Sequence, residues 1–161
     1  MPDLQWLEEL YRGHRRPLFL IAWNVLRCQG LAEDAVHTVF GRLAGLPKAP
    51  RDAKLYAYRA VRNAAVDLAR IRGRYPSETA GSLETYPKLD VPAIDNEALV
   101  EAQAALEQLD DAAREVIELR LYASLTFQEI AELLDQPLPS VASRYRRAIE
   151  KVRELMEICH E

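Results

Sequence analysis

Apolar residues recur along this chain in steps of three and four, the mark of helices that bury one face. Nowhere does a run of alternating Val, Ile and Thr read as a strand. Leu4, Leu7, Leu10 and Tyr11 form a first stripe behind Asp3, which suits an N-cap. Gly13 predicts a break, Pro17 the first turn of a second helix ending near Arg27, and Gly30 its close. Ala32, Ala35, Val36, Val39, Phe40 and Leu43 predict a third helix over residues 31–44, ended by Gly45, Pro47 and Pro50. A fourth, over residues 52–72, offers Leu55, Tyr58, Ala65, Leu68 and Ala69 to a core.

Periodicity then fails. Between residues 73 and 95, Pro76, Ser77, Gly81, Ser82, Pro87 and Pro92 punctuate the chain as they do a linker. Beyond it one helix is expected over residues 96–109, and another from an Asp110 or Asp111 cap to about residue 122. Thr126 and Glu129 have the spacing of a capping box, which predicts a short helix to residue 134. Asp135-Gln136-Pro137 turns the chain, and Pro139 suits the first position of a last helix reaching about residue 156. The expected fold is therefore all-α, with a four-helix domain at 1–74, a flexible linker at 75–96 and a second four-helix domain at 97–161. Each domain is near the size at which one core barely suffices.

The last two helices carry helix-turn-helix spacing: Ala131 is small enough for close approach, Asp135 turns the chain, and apolar Val141 pins the second helix. On that second helix Val141, Tyr145, Ala148, Ile149 and Val152 share a core face. Ser140, Ser143, Arg144 and Arg147 share another, placing hydroxyls and guanidinium groups together. Such a face suits DNA, because these groups can contact phosphates and an arginine can read guanine, for roughly 1–3 kcal/mol of discrimination per good bidentate pair. The same stretch also suits a solvated helix in which Arg144, Arg146, Arg147, Lys151 and Arg153 pair with Glu150 and Glu154.

Charge changes this picture only when read by halves. The net charge of -4 argues against a uniformly basic DNA-coating protein, yet residues 1–75 hold 13 Lys and Arg against 7 Asp and Glu, and residues 99–161 hold 7 against 13. An acidic half still binds DNA when its cations gather on one face. Cys28 and Cys159 lie far apart without metal-ligand spacing, so neither a disulfide framework nor a metal or cofactor site is expected. The lone histidines His14, His37 and His160 are read as surface residues. The apolar stretch at residues 18–23 follows basic residues as in a signal peptide, but Asn24 and Arg27 interrupt it and no cleavage site follows. It is too short to span a membrane, so a buried helix of a cytoplasmic protein without direct membrane association is expected. No nucleophile elbow, phosphate loop or metal cluster supports an enzyme.

Several motifs, in order along nearly the whole chain, resemble the sigma-70 superfamily. Ala32-Glu33-Asp34-Ala35-Val36-His37-Thr38-Val39-Phe40 looks like the signature helix of a sigma-2 domain, and Arg62-Asn63-Ala64-Ala65-Val66-Asp67-Leu68-Ala69-Arg70 is similar to that domain's R-N-x-x-x-D-x-x-R helix. Arg114-Glu115-Val116, Phe127-Gln128-Glu129-Ile130-Ala131-Glu132-Leu133-Leu134 and Ser143-Arg144-Tyr145-Arg146-Arg147-Ala148 look like a sigma-4 domain. With no other domain recognised, the resemblance implies the minimal extracytoplasmic-function group, whose members bring RNA polymerase to promoters.

That resemblance implies partners and sites. The partners are core RNA polymerase, double-stranded promoter DNA and the melted non-template strand, with an anti-sigma factor as a further candidate. Glu33, Asp34, His37 and Phe40 are expected to bind polymerase. Tyr56, Arg59, Arg62, Asn63 and Arg70 are expected at the promoter box nearest the start site, the -10 type, where arginines meet phosphates and flat tyrosine faces receive unstacked bases. Tyr56 and Tyr58 fit a core as well as such a trap, and Asn63 and Asp67 fit bonds between helices. Ser140, Ser143, Arg144 and Arg147 are expected at the upstream, -35 type box. The acidic residues Glu78, Glu84, Asp90 and Asp95 fit either a solvated linker or passage through a basic polymerase channel.

The sequence also departs from the family pattern. His37 and Thr38 stand where glutamine and an acid are usual, residues 47–54 form a shorter loop, Ala142 replaces a basic contact residue and Asp135 replaces a turn glycine. The competing reading is a sigma-like regulator that binds DNA or an inhibitor without directing polymerase.

Overall fold

The structure is a computed structural model that describes residues 3–74 and 96–159, all α-helix and connecting turns. The acidic linker residues and His160 lie outside the described residues. The chain divides into two compact units, Met1–Glu84 and Thr85–Glu161.

The first unit holds α1 (Gln5–Leu26), α2 (Gln29–Ala44) and α3 (Ala53–Arg74), each packed against the other two. Among the described residues three helices stand where four were expected, because α1 runs unbroken through Gly13 and Pro17. Proline removes the N–H that would bond to the Gly13 carbonyl and costs about 3 kcal/mol inside a helix, to which glycine adds about 1 kcal/mol. Leu18, Leu20, Ile21 and Trp23 are fully buried just beyond, and each such side chain contributes about 1.5–3 kcal/mol. Their burial outweighs the two breakers. Residues 20–24 are all buried, so α1 is enclosed on more than one side by α2 and α3.

The close expected at Gly30 falls instead at Arg27. Its φ of 52° is the left-handed turn that ends α1, its N–H donates to the Trp23 carbonyl at 2.7 Å, and its guanidinium lies 4.5 Å from the Trp23 ring centroid. This stacking offsets the conformational cost of a non-glycine residue there. Cys28, a half-buried free thiol, is extended, and Gly30 lies inside the first turn of α2.

Side-chain bonds tie α3 to α1 near both of its ends. Near its start, the Tyr58 hydroxyl and His14 Nδ1 are 2.9 Å apart; near its end, Arg72 Nη1 donates to the Leu26 carbonyl at 3.3 Å. His14 is thus a half-buried partner of a core tyrosine rather than a surface residue. Burial, assisted by the charge of Lys54, lowers the His14 pKa below 6.5, and burial raises that of Tyr58.

The second unit holds α4 (Asn96–Glu107), α5 (Asp111–Leu121), α6 (Phe127–Leu134) and α7 (Leu138–Cys159). Leu106, Leu109, Ile117 and Ala148 form a core on which Tyr145, Ile149 and Val152 pack. Asp110, not Asp111, caps α5, accepting from the Ala113 N–H at 2.8 Å, and Asp111 pairs with Arg114. The capping box forms in both directions: Thr126 Oγ1 accepts from the Glu129 N–H at 3.1 Å, and Glu129 Oε1 from the Thr126 N–H at 3.0 Å. α6 ends on Asp135 at φ 53° and ψ 50°. Pro139 is the second residue of α7, which begins one residue earlier than expected.

Candidate nucleic-acid interface

On α3 the core face is set by Ala57, Tyr58, Val61 and Ala65, all buried. At about 100° per residue, Tyr56, Arg59, Asn63, Asp67 and Arg70 fall within about 80° of arc on the opposite side, with Arg62 at the margin. Burial agrees with that projection: Tyr56, Arg59, Asn63 and Arg70 are exposed and Arg62 is half-buried. The two tyrosines part company here, since Tyr58 is 0% exposed and Tyr56 49%. Tyr58 is core, and Tyr56 presents a ring beside Arg59. Asp67 lies 3.8 Å from Arg70 on the exposed side of the same helix. Asn63 and Asp67 also line a groove of about 430 Å³ between α2 and α3, with Thr38, Arg42, Leu68 and exposed Ile71. That groove was not foreseen.

α2 shows a second outward surface. Ala32, Ala35, Val36, Val39 and Leu43 are buried, which leaves Asp34, His37 and Thr38 on the outer ridge. Glu33 and Phe40 flank it on the α1 side: Glu33 and His37 line a groove of about 400 Å³ with Tyr11, Arg15 and Phe19, and Phe40 meets Tyr11 edge-on at 5.1 Å. Phe40 is therefore half-buried, while Glu33, Asp34 and His37 are exposed.

On α7, Val141 and Ala148 are buried; Ser143 and Arg147 fall on the far side of the helix, while Ser140 and Arg144 lie on its flank. Ser140 and Arg147 are exposed, whereas Ser143 and Arg144 are half-buried. The Ser143 hydroxyl accepts from Arg146 at 3.4 Å, and its carbonyl accepts from Arg147 Nε at 3.4 Å. Arg144 reaches off the helix, donating from Nη1 to Gln136 Oε1 in the preceding turn at 2.6 Å. Periodicity does not reveal Gln136, because its partner lies eight residues away across a turn.

The arrangement offers positive charge, hydroxyls and the exposed Tyr56 ring on helix surfaces. Among the described residues no group of three or more His, Cys, Asp or Glu is placed to hold a metal ion, and no helix is long and apolar enough to cross a membrane.

Comparison with known proteins follows the same division. The sigma-70 region 2 family matches residues 10–75 and the sigma-70 region 4 family residues 105–154. The chain belongs to the sigma-70 superfamily as a sigma factor of the extracytoplasmic-function type. The RNA polymerase sigma factor SigZ of Bacillus subtilis is 24% identical over 156 residues, covering 95% of this chain and 88% of that protein. The ECF RNA polymerase sigma factor SigK of Mycolicibacterium vanbaalenii is 24% identical over 167 residues, covering 97% and 84%. Among solved structures, the sigma factor RpoE in complex with the anti-sigma factor NepR, from Bartonella quintana, has a similar fold. The TM-score is 0.69 and the identity 18%, over 97% of this chain and 99% of that one.

Proposed function

We propose that this sigma factor divides promoter recognition between its two units and carries out no bond chemistry itself. Residues 1–74 act as region 2, residues 97–161 as region 4 and residues 75–96 as the tether between them. The ridge of Asp34 and His37, with Glu33 and Phe40 beside it, docks on core RNA polymerase. The row of Tyr56, Arg59, Asn63 and Arg70, with Arg62 at its margin, takes the downstream box: the arginines contact phosphates, and Tyr56 stacks on a base of the non-template strand as the duplex opens. Ser140, Ser143, Arg144 and Arg147 lie against the upstream duplex, with α7 as the recognition helix.

The observation that carries this reading is a cation-bearing helix surface in each unit, with Arg59, Arg70 and Arg147 exposed away from a buried core and Arg62 and Arg144 half-buried at its flank. The protein works in the cytoplasm beside the chromosome, and an anti-sigma factor is a natural regulator, as the solved relative is bound to one.

The test is reconstitution. Purified chain added to core polymerase should give promoter-specific transcripts. Arg144→Ala and Arg147→Ala should each weaken binding to the upstream box and leave core-polymerase binding intact, with Arg147→Ala lowering the salt slope by about one unit if it meets a phosphate. Binding to DNA or to an anti-sigma factor with none to core polymerase would overturn the proposal in favour of a sigma-like regulator.

A further inference from the structure

The bond between Arg144 and Gln136 joins the recognition helix to the turn in front of it, and the backbone fixes where that turn stands. Asp135 in the left-handed conformation lets the Gln136 N–H return to the Ala131 carbonyl at 3.0 Å, so Gln136 is anchored to the end of α6. The Pro137 carbonyl accepts from the Ser140 and Val141 N–H groups at 3.1 and 3.2 Å, which seats α7 on the same turn. Gln136 Oε1 is thus an acceptor of fixed origin. It holds Arg144 Nη1 at 2.6 Å, and both side chains are half-buried.

An arginine side chain carries about 2 kcal/mol of rotamer entropy, part of which is already surrendered when the guanidinium is held in the free protein. Anchoring at Nη1 leaves the opposite edge of the plane, Nε and Nη2. Those two parallel donors match guanine N7 and O6 in the major groove. The neighbouring arginines are held differently. Among the described residues, Arg146 and Arg147 hydrogen-bond to Ser143 of their own helix, both at 3.4 Å, and both are exposed. Loosely held cations suit phosphates, which need charge more than orientation.

We propose that Gln136 is a positioning residue: by holding the Arg144 guanidinium it sets the preference for one guanine in the upstream box. The proposal rests on the reading of α7 as the recognition helix, and the experiment separates the two. Full-length chain assembled with core polymerase is bound to duplexes randomised across the upstream box, and the bound fraction is sequenced. Wild type is compared with Arg144→Met, Gln136→Met, Gln136→Glu and the double variant Gln136→Met/Arg144→Met.

Arg144→Met should flatten the preference at one base pair. Gln136→Met, of equal length but without the acceptor, should lower the preference at that same base pair by at least about threefold, leaving other positions and the salt dependence unchanged. Gln136→Glu keeps an acceptor oxygen and should retain the base preference, even where its added charge lowers affinity for all sequences alike. The double variant should be no flatter than Arg144→Met, because the two side chains act as one unit. An unchanged profile for Gln136→Met beside a flattened one for Arg144→Met overturns the positioning role and leaves the recognition helix standing. A Gln136→Met variant that loses affinity uniformly also overturns it, since a merely structural turn residue behaves so. An unchanged profile for Arg144→Met overturns both.

Discussion

Replacing Asp135 should stabilise the second unit, in an order that exposes the cause. Asp135 sits at φ 53° and ψ 50°, where an L-residue with a Cβ is strained by about 1 kcal/mol. Its side chain is exposed, so Asp135→Gly removes no packing. Glycine relieves the strain, and loss of a carboxylate from the negative end of α6 adds about 0.3–1 kcal/mol. Against this, the greater freedom of glycine in the unfolded chain costs about 0.4–1 kcal/mol. The net gain is about 0.5–1 kcal/mol. Asp135→Asn keeps a side chain that tolerates this conformation and loses only the charge, so it should gain about half as much. Asp135→Ala loses the charge but also the short polar side chain that eases this conformation, so its strain rises by a similar amount and it should gain almost nothing.

The assay must see this unit alone. Both tryptophans, Trp6 and Trp23, belong to the first unit, so their fluorescence is blind to the change. Hydrogen exchange of peptides from α6 and α7 reads it directly: Asp135→Gly should slow the best-protected amides about two- to fivefold, Asp135→Asn less and Asp135→Ala hardly at all. Equal protection by alanine and glycine would refute the conformational argument, as would no slowing by glycine.

Three further outcomes are expected. Arg114 is 2% exposed, donates towards the Leu106 carbonyl and pairs with Asp111, whose side chain is exposed; Arg114→Met should cost about 1.5–3 kcal/mol by exchange of α4 and α5, and a loss under about 0.5 kcal/mol would argue that these bonds contribute nothing. Tyr56→Ala should change stability by less than about 0.5 kcal/mol but lower open-complex formation about fivefold or more, read by permanganate reactivity of melted thymines; unaltered melting would remove Tyr56 from the proposed face. Since the folded state lowers the His14 pKa, the unfolded chain binds the extra proton more readily; His14 therefore contributes stability above pH 6.5 that is lost as pH falls below 6.5 and through the depressed folded value. Urea midpoints of the first unit, followed by tryptophan fluorescence, should fall over that range, and His14→Gln should flatten the decline.

The elements that were legible beforehand are those fixed by neighbours in the chain. Thr126 and Glu129 satisfy each other across three residues, and the stripe from Val141 to Val152 needs only helical spacing to declare its face. Gly13, Pro17 and Gly30 misled because their local preference for a break is opposed by distant partners: Leu18, Trp23 and their neighbours are buried by α2 and α3, which the order of residues along α1 does not announce. The same holds for His14, whose partner Tyr58 lies 44 residues away. In the candidate interface, spacing named the serines and arginines of α7 and family resemblance the arginines of α3, but only the rotation of α3 separated Tyr56 from Tyr58. Gln136 was silent because an eight-residue reach across an elbow follows neither helical nor strand periodicity.

The two fastenings of α3 to α1, at Tyr58 and at Arg72, work like bolts at opposite ends of a rail. A helix held at one point can roll about its long axis and swing its outer side chains through an arc; held at both, it keeps its azimuth. On the proposed reading, Tyr56 and the arginines beyond it would meet an opening strand already aimed, and the strand would do the adjusting.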